Sequence, residues 1–229
     1  MSYPKHPDSI IIKNSFYPSG LKEIDVWDYY QTFKTEILEQ VSGRDLFFVI
    51  LVDLNKPIVV RAGRGTRFVR LTSSNYNTMI TGRTISIHST MKRMEDIAIV
   101  DIDSDDFKKA KEACLDCYDF LKAKKNIIDN ISIRFTGKES FHILCNLRKK
   151  YNIDIIRETF KKVLEESPLS KKYTISHKRS PGIPNLDLAP NKFRGGFITL
   201  FSLSEIGLKC MEVEYKNLRS FTQKMASIK

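Results

Sequence analysis

The 229-residue sequence predicts an α/β fold of the α+β kind, with a mixed sheet and amphipathic helices packed around it. Three observations predict it. Short β-type apolar runs recur along the chain, apolar stripes at spacings of three and four fall between them, and no repeat period or low-complexity tract interrupts the series. With 41% apolar and 28% charged residues the chain can bury a real core, which excludes disorder as its main state.

The first helix is expected over residues 23–41, entered after Pro18-Ser19-Gly20, because Ile24, Trp27, Tyr30, Phe33, Ile37, Leu38 and Val41 share one stripe. A strand over 46–52 follows Gly43. It is the longest uninterrupted apolar run, bracketed by Asp45 and Asp53, and at seven residues it falls far short of the roughly twenty that a transmembrane helix needs. Next come an arginine-rich stretch over 61–70, a β-run over 84–88 and a strand over 97–103. A helix begins after it, with Phe107, Ala110, Cys114, Cys117 and Leu121 facing inward and Ser104 or Asp105 placed to cap the first turn. Two further β-runs, 131–135 and 141–147, flank the turn Thr136-Gly137-Lys138-Glu139-Ser140. A helix over 153–164, a strand over 196–203 and a last helix around 218–225 complete the series. Prolines and glycines are scattered rather than gathered into a linker, so the chain reads as one domain over 1–229, or as two closely packed lobes of about 1–95 and 96–229.

A formal charge of +11 favours a polyanionic partner. Four cysteines do not make a disulfide scaffold, and Met1 to Asp8 has no basic-then-apolar signal architecture, so a cytoplasmic protein with reduced thiols is expected.

The strongest local signal is Asp101 with Asp103. Side chains on a strand repeat every two residues, so both acids share one face with Cα atoms about 6.5–7 Å apart. Two carboxylates so placed repel each other unless a cation lies between them, and their hard oxygens suit Mg²⁺ or Mn²⁺. The alternative is that they mark a strand end and, with Asp105 and Asp106, cap the next helix. Ser140 and His142 also share a strand face, after a turn carrying Gly137 and Lys138; hydroxyl, imidazole and exposed backbone N–H groups make a phosphate seat. Against this stands the commoner lot of a lone strand histidine, a hydrogen-bonded core residue, and the same holds for His88.

Asp187 sits among basic and amide groups in the 185–196 segment, which otherwise reads as a surface loop. Arg61, Arg64, Arg67 and Arg70 repeat every three residues around Gly63 and Gly65, as a phosphate-tracking edge or a solvated charged loop. Cys114 and Cys117 form a C-x-x-C on the inward stripe of a helix with no second pair at metal-site spacing, so they are read as core packing rather than as a zinc or redox site.

In order and spacing these pieces resemble the archaeo-eukaryotic primase superfamily, most of all the polymerase domain of end-joining DNA ligases. The resemblance runs from about residue 10 to about residue 222. It begins with Tyr17-Pro18-Ser19-Gly20-Leu21-Lys22 followed by Tyr29-Tyr30, similar to an N-terminal segment whose lysine meets DNA phosphate. Its core is the D-x-D of Asp101 and Asp103, the S-x-H of Ser140 and His142, and Asp187 as third acid. Asn191, Arg194-Gly195 and Phe201-Ser202-Leu203 resemble the segment after that acid, and His88 lies where the family carries a phosphate-facing histidine. The chain departs from the ligase-linked branch at Ser204, where an arginine is usual, at Thr90, where a tryptophan is usual, and at Lys13, about one position out of register.

The resemblance implies a primase-like catalytic core with an RRM-like sheet, and a template-directed nucleotidyltransferase that initiates or extends strands in repair gap filling or primer synthesis. Asp101, Asp103 and Asp187 would hold two Mg²⁺ or Mn²⁺ ions; Ser140, His142, His88, Lys138 and Asn191 would hold the nucleotide. Lys22, Arg64, Arg67 and Arg70 would meet DNA. Its partners would be DNA template and primer, ribo- or deoxyribonucleoside triphosphates, and ligase, primase or replication proteins, with no membrane. The rival readings are a non-catalytic nucleic-acid binder that retains the fold and a metal-dependent nuclease.

Overall fold

The computed structural model describes residues 20–53, 56–60, 69–176 and 180–228. Lys13, Tyr17 to Ser19, Arg61, Arg64 and Arg67 lie outside the described residues. In chain order the elements are α1 (Glu23–Thr32), α2 (Lys34–Gln40), β1 (Leu46–Asp53), β2 (Lys56–Val60), α3 (Tyr76–Met79), β3 (Thr84–Thr90), β4 (Met94–Asp103), α4 (Phe107–Lys122), β5 (Ile128–Phe135), β6 (Phe141–Asn152), α5 (Ile153–Glu165), β7 (Asn185–Asp187), β8 (Gly196–Ile198) and β9 (Met211–Glu212). The architecture is mixed α and β, but instead of the expected mixed sheet the strands form two sheets whose named pairs are all antiparallel. No described helix is long and apolar enough to cross a membrane.

The chain divides into two compact units, one of Met1–Thr90, Gly196–Cys210 and Ala226–Lys229, the other of Met91–Gly195 and Met211–Met225. The first holds an antiparallel sheet of order β2-β1-β3-β8. Its core joins Tyr30 and Ile37 from the helices to Tyr76, Ile80, Ile85, Ile87 and Leu203. Buried hydroxyls need partners. Tyr30 donates to the Ile85 carbonyl at 2.9 Å and accepts from the Leu203 N–H at 3.1 Å, while Tyr76 donates to the Tyr30 carbonyl at 2.7 Å. The helix expected over 23–41 is two helices, because Thr32 Oγ1 bonds back to the Asp28 carbonyl at 2.9 Å and Phe33 leaves helical geometry to stack on Phe201 at 4.7 Å.

The second unit is a five-stranded antiparallel sheet of order β7-β4-β6-β5-β9, built from a β-α-β-β-α-β succession that runs from β4 to β7. Period-two alternation divides its faces. Ala98, Val100 and Ile102 of β4, all fully buried, point to one side with Ile143 and Cys145 of β6. Both α4 and α5 pack on these strands, through Ala113, Cys114, Cys117 and Leu121 and through Ile156, Phe160 and Leu164. The two C-x-x-C thiols are therefore core residues; burial pushes both far above the ordinary thiol range, the neighbouring Cys145 adding to the effect on Cys117.

Three local expectations are corrected. The cap of α4 is neither Ser104 nor Asp105 but Asp106, which only the alternative reading of the acids included; its carboxylate accepts from the Lys108 and Lys109 amides at 2.7 and 3.1 Å, while Ser104 Oγ accepts the Asp106 N–H. The strand expected over 196–203 ends at Ile198, since the chain turns through a Ser202 to Thr199 bond with Phe201 at a φ of 62°. Where a last helix was expected there are 3₁₀ turns at Tyr215–Asn217 and Gln223–Ala226, and the Ser220 hydroxyl bonds locally to the Asn217 carbonyl.

Candidate functional site

The face of the second sheet opposite α4 and α5 carries the acids. Asp101 on β4 lies directly opposite Asp187 on β7 and, on its other side, directly opposite His142 on β6. His142 in turn faces Arg134 of β5, and Arg134 faces Glu212 of β9. Directly opposed residues of an antiparallel ladder point the same way. One row across five strands therefore reads Asp187, Asp101, His142, Arg134, Glu212. Two residues along β4, Asp103 faces Asn185, and the Ser140 hydroxyl donates to Asp103 Oδ1 at 3.1 Å.

Each acid has a polar neighbour beside it. His142 Nε2 is 3.4 Å from Asp101 Oδ1, and Asp187 Oδ1 accepts from the Ala189 N–H at 2.8 Å. The turn that delivers Ser140 and His142 depends on Gly137, whose φ of 99° a side chain would strain, and closes with the Thr136 N–H and hydroxyl both donating to the Ser140 carbonyl.

Like charges directly opposite on a ladder repel, and three carboxylates on one face are a set of hard oxygen donors of the kind Mg²⁺ and Mn²⁺ take. Two buried polar groups sharing this face also lack partners among the described residues: His142 Nδ1, and both amide atoms of Asn185, which is 1% exposed. In chemical type, though not in present geometry, these donors suit a divalent ion. The side chains as they stand do not close on one point, and among the described residues no group of three His, Cys, Asp or Glu is gathered tightly enough to hold a metal ion.

Other expected residues lie as follows. Lys138 is exposed in the turn beside Ser140, with its ammonium 3.9 Å from Glu139. Asn191 is fully buried, its amide clipped to β4 by accepting the Ile99 N–H at 2.8 Å and donating to the Ile99 carbonyl. It thus secures the strand that carries the acids. In the first unit, His88 stacks on Phe47 at 4.6 Å with Nε2 2.9 Å from the Ser86 hydroxyl. Lys22 is exposed at the start of α1, its N–H bonded to the Asp25 carboxylate, and Arg70 is paired with Asp45 at 3.0 Å.

Sequence reasoning missed Arg134 and gave Asn185 no role. Both carry a period-two signal, Arg134 as the polar step in Ser132-Ile133-Arg134 and Asn185 two residues before Asp187. Which residues they would face was not readable from that signal.

No protein-family model and no curated protein matches the sequence. Among solved structures the chain is similar to the polymerase domain of Ligase D from Mycobacterium tuberculosis in complex with DNA, at a TM-score of 0.75 and 13% identity, covering 93% of this chain and 90% of that one. At that identity the likeness is one of fold, and it extends nearly end to end: the chain is folded as that polymerase domain is.

Proposed function

We propose that the chain is a template-directed nucleotidyltransferase, a primase-polymerase that adds nucleotides to DNA or RNA by two-metal phosphoryl transfer. The observation that carries this reading is the placement of Asp187 and His142 on either side of Asp101, with Asp103 next along the same face. The fold likeness to a polymerase domain, the β-α-β-β-α-β succession expected of an RRM-like sheet and the +11 charge support it.

In this reading Asp101, Asp103 and Asp187 hold the divalent ions, Mg²⁺ or Mn²⁺. Bound there, the ions would ease deprotonation of a primer 3′-hydroxyl and neutralise charge on the transferred phosphoryl group. The chain's own groups do the rest. Ser140 orients Asp103, the Ala189 amide orients Asp187, and His142, seated against Asp101, keeps Nδ1 for the triphosphate. Lys138 and His88 are assigned to the nucleotide, and Lys22, Arg64, Arg67 and Arg70 to template phosphates. DNA template and primer and nucleoside triphosphates are the substrates, with ligase or replication proteins as partners.

The test is to incubate the protein with Mn²⁺ or Mg²⁺, labelled ribo- and deoxyribonucleotides, and single-stranded template with and without primer. Incorporation that depends on template is expected. Shortening of labelled DNA instead would assign a nuclease, and binding with neither outcome would assign a non-catalytic nucleic-acid binder.

A further inference from the structure

We infer that the end of the second unit's sheet remote from the acids is a second, non-catalytic contact for a nucleic-acid backbone, centred on Lys122, Lys125 and Arg148. Two basic runs, Lys122-Ala123-Lys124-Lys125 and Arg148-Lys149-Lys150, are distant in sequence. The β5–β6 ladder brings them together: Ile128 pairs with Leu147, and the Arg148 N–H donates to the Ile127 carbonyl at 3.3 Å. Between them lies a concavity of about 240 Å³, lined by Lys122, Lys125, Arg148, Tyr118 and, as its one carboxylate, Asp129.

Among the described residues none of Lys122, Lys125, Arg148, Lys149 or Lys150 forms an ion pair. Lys122, Lys125 and Arg148 are exposed. Cations crowded into a concave surface repel one another and raise the local concentration of polyanions. The wall beside them is firm: Tyr118 stacks on Tyr215 at 4.4 Å, the Tyr215 hydroxyl donates to both Asp119 oxygens at 2.8 and 2.9 Å, and the Lys122 ammonium lies over both rings. A phosphodiester backbone matches this surface in charge and in its repeated anionic groups.

Strand β6 sets the distance from the acids. His142 and Arg148 are six residues apart on it, about 20 Å at 3.3–3.4 Å per residue, which is about six base-pair steps of duplex. Resting on the nucleotidyltransferase reading, this makes the basic end a hold on duplex about six base pairs behind the reacting end.

The test measures metal-free binding of DNA hairpins with stems of about 4 and about 14 base pairs over a salt series, for the wild-type chain and the Lys122→Gln/Lys125→Gln/Arg148→Gln variant. On the long stem the slope of log affinity against log salt should fall in magnitude by about 2–3 in the variant, and on the short stem the two proteins should agree. Unchanged thermal stability in the variant checks the fold. Equal slopes on the long stem would overturn the inference, as would displacement of long DNA by poly-glutamate at equal charge concentration, which would assign an acidic protein partner. Single-nucleotide addition on the short stem should be the same in both proteins. A slope change without any incorporation by the wild type would leave the contact standing and remove the polymerase reading.

Discussion

His142 reaches Asp101 with one ring nitrogen, at 3.4 Å, and leaves the other buried without a hydrogen-bond partner. An imidazole so seated is fixed by the acid and still has a group to offer, which a purely structural histidine does not. The same acid is opposed by Asp187, so its removal should affect chemistry far more than folding.

Asp101→Asn is therefore expected to lower nucleotide incorporation by at least about 10³-fold, because a metal ligand supplies several kcal/mol of transition-state stabilisation. Relief of the opposed Asp101–Asp187 pair should leave the melting temperature within a few degrees of wild type. Parallel single-turnover and melting measurements check both statements, and incorporation within tenfold of wild type contradicts the assignment of Asp101.

Asn185→Leu should stabilise the protein. Its amide is buried with neither end paired, and an unsatisfied buried polar group costs about 1–3 kcal/mol, whereas an apolar side chain of similar volume does not incur that cost. A rise of about 2–4 °C per kcal/mol is expected in thermal unfolding. A fall in melting temperature would show that the amide is already satisfied.

Alkaline unfolding should start with the first unit's tyrosines. Burial raises the phenol pKa of Tyr29, Tyr30 and Tyr76 well above the ordinary value, their mutual charge interactions adding to it for Tyr29 and Tyr76. With folded values above the unfolded value of about 10, this stability is complete below pH about 10 and is lost as pH rises towards the folded values. Phenolate absorbance from these residues should appear together with unfolding, and a smooth titration with the fold intact would contradict it.

At the acid end, Asp106 should matter. Hydrogen bonds from the Lys109 and Lys108 amides hold its carboxyl below the usual range. Its contribution is present above the unfolded pKa of about 3.9 and is lost as pH falls through the lower folded value. The urea midpoint of wild type should exceed that of Asp106→Asn at neutral pH and approach it as pH falls through the lowered folded value. A difference independent of pH would assign the effect to the neutral cap alone.

What the sequence made legible was whatever depends on local period. The inward stripe of α4 and the shared face of Asp101 and Asp103 follow from spacings of three to four and of two, and both are in the structure. The cap of α4 stayed open between Ser104, Asp105 and Asp106, all cap-competent, and only backbone geometry selects the third. The pairing of Asp187 with Asp101 depends on which edge of β4 a three-residue strand takes, and three residues carry almost no periodic signal. The clip of Asn191 on β4 was not legible because an amide that holds a strand and an amide that meets a ligand look alike in one dimension. The return of residues 196–210 to the first unit is set by pairing of β8 with β3, a long-range choice with no local mark.

All four cysteines are buried and none is in a disulfide, three in the second unit and Cys210 in the first. Burial also pushes the Cys145 thiol up to about 12, so little nucleophilic thiolate exists at neutral pH. A thiol reagent can therefore react only when a unit opens, and its labelling rate becomes a clock for that opening. Because the sulfurs are divided between the units, peptide-resolved alkylation times each one separately, with no added dye, tag or mutation.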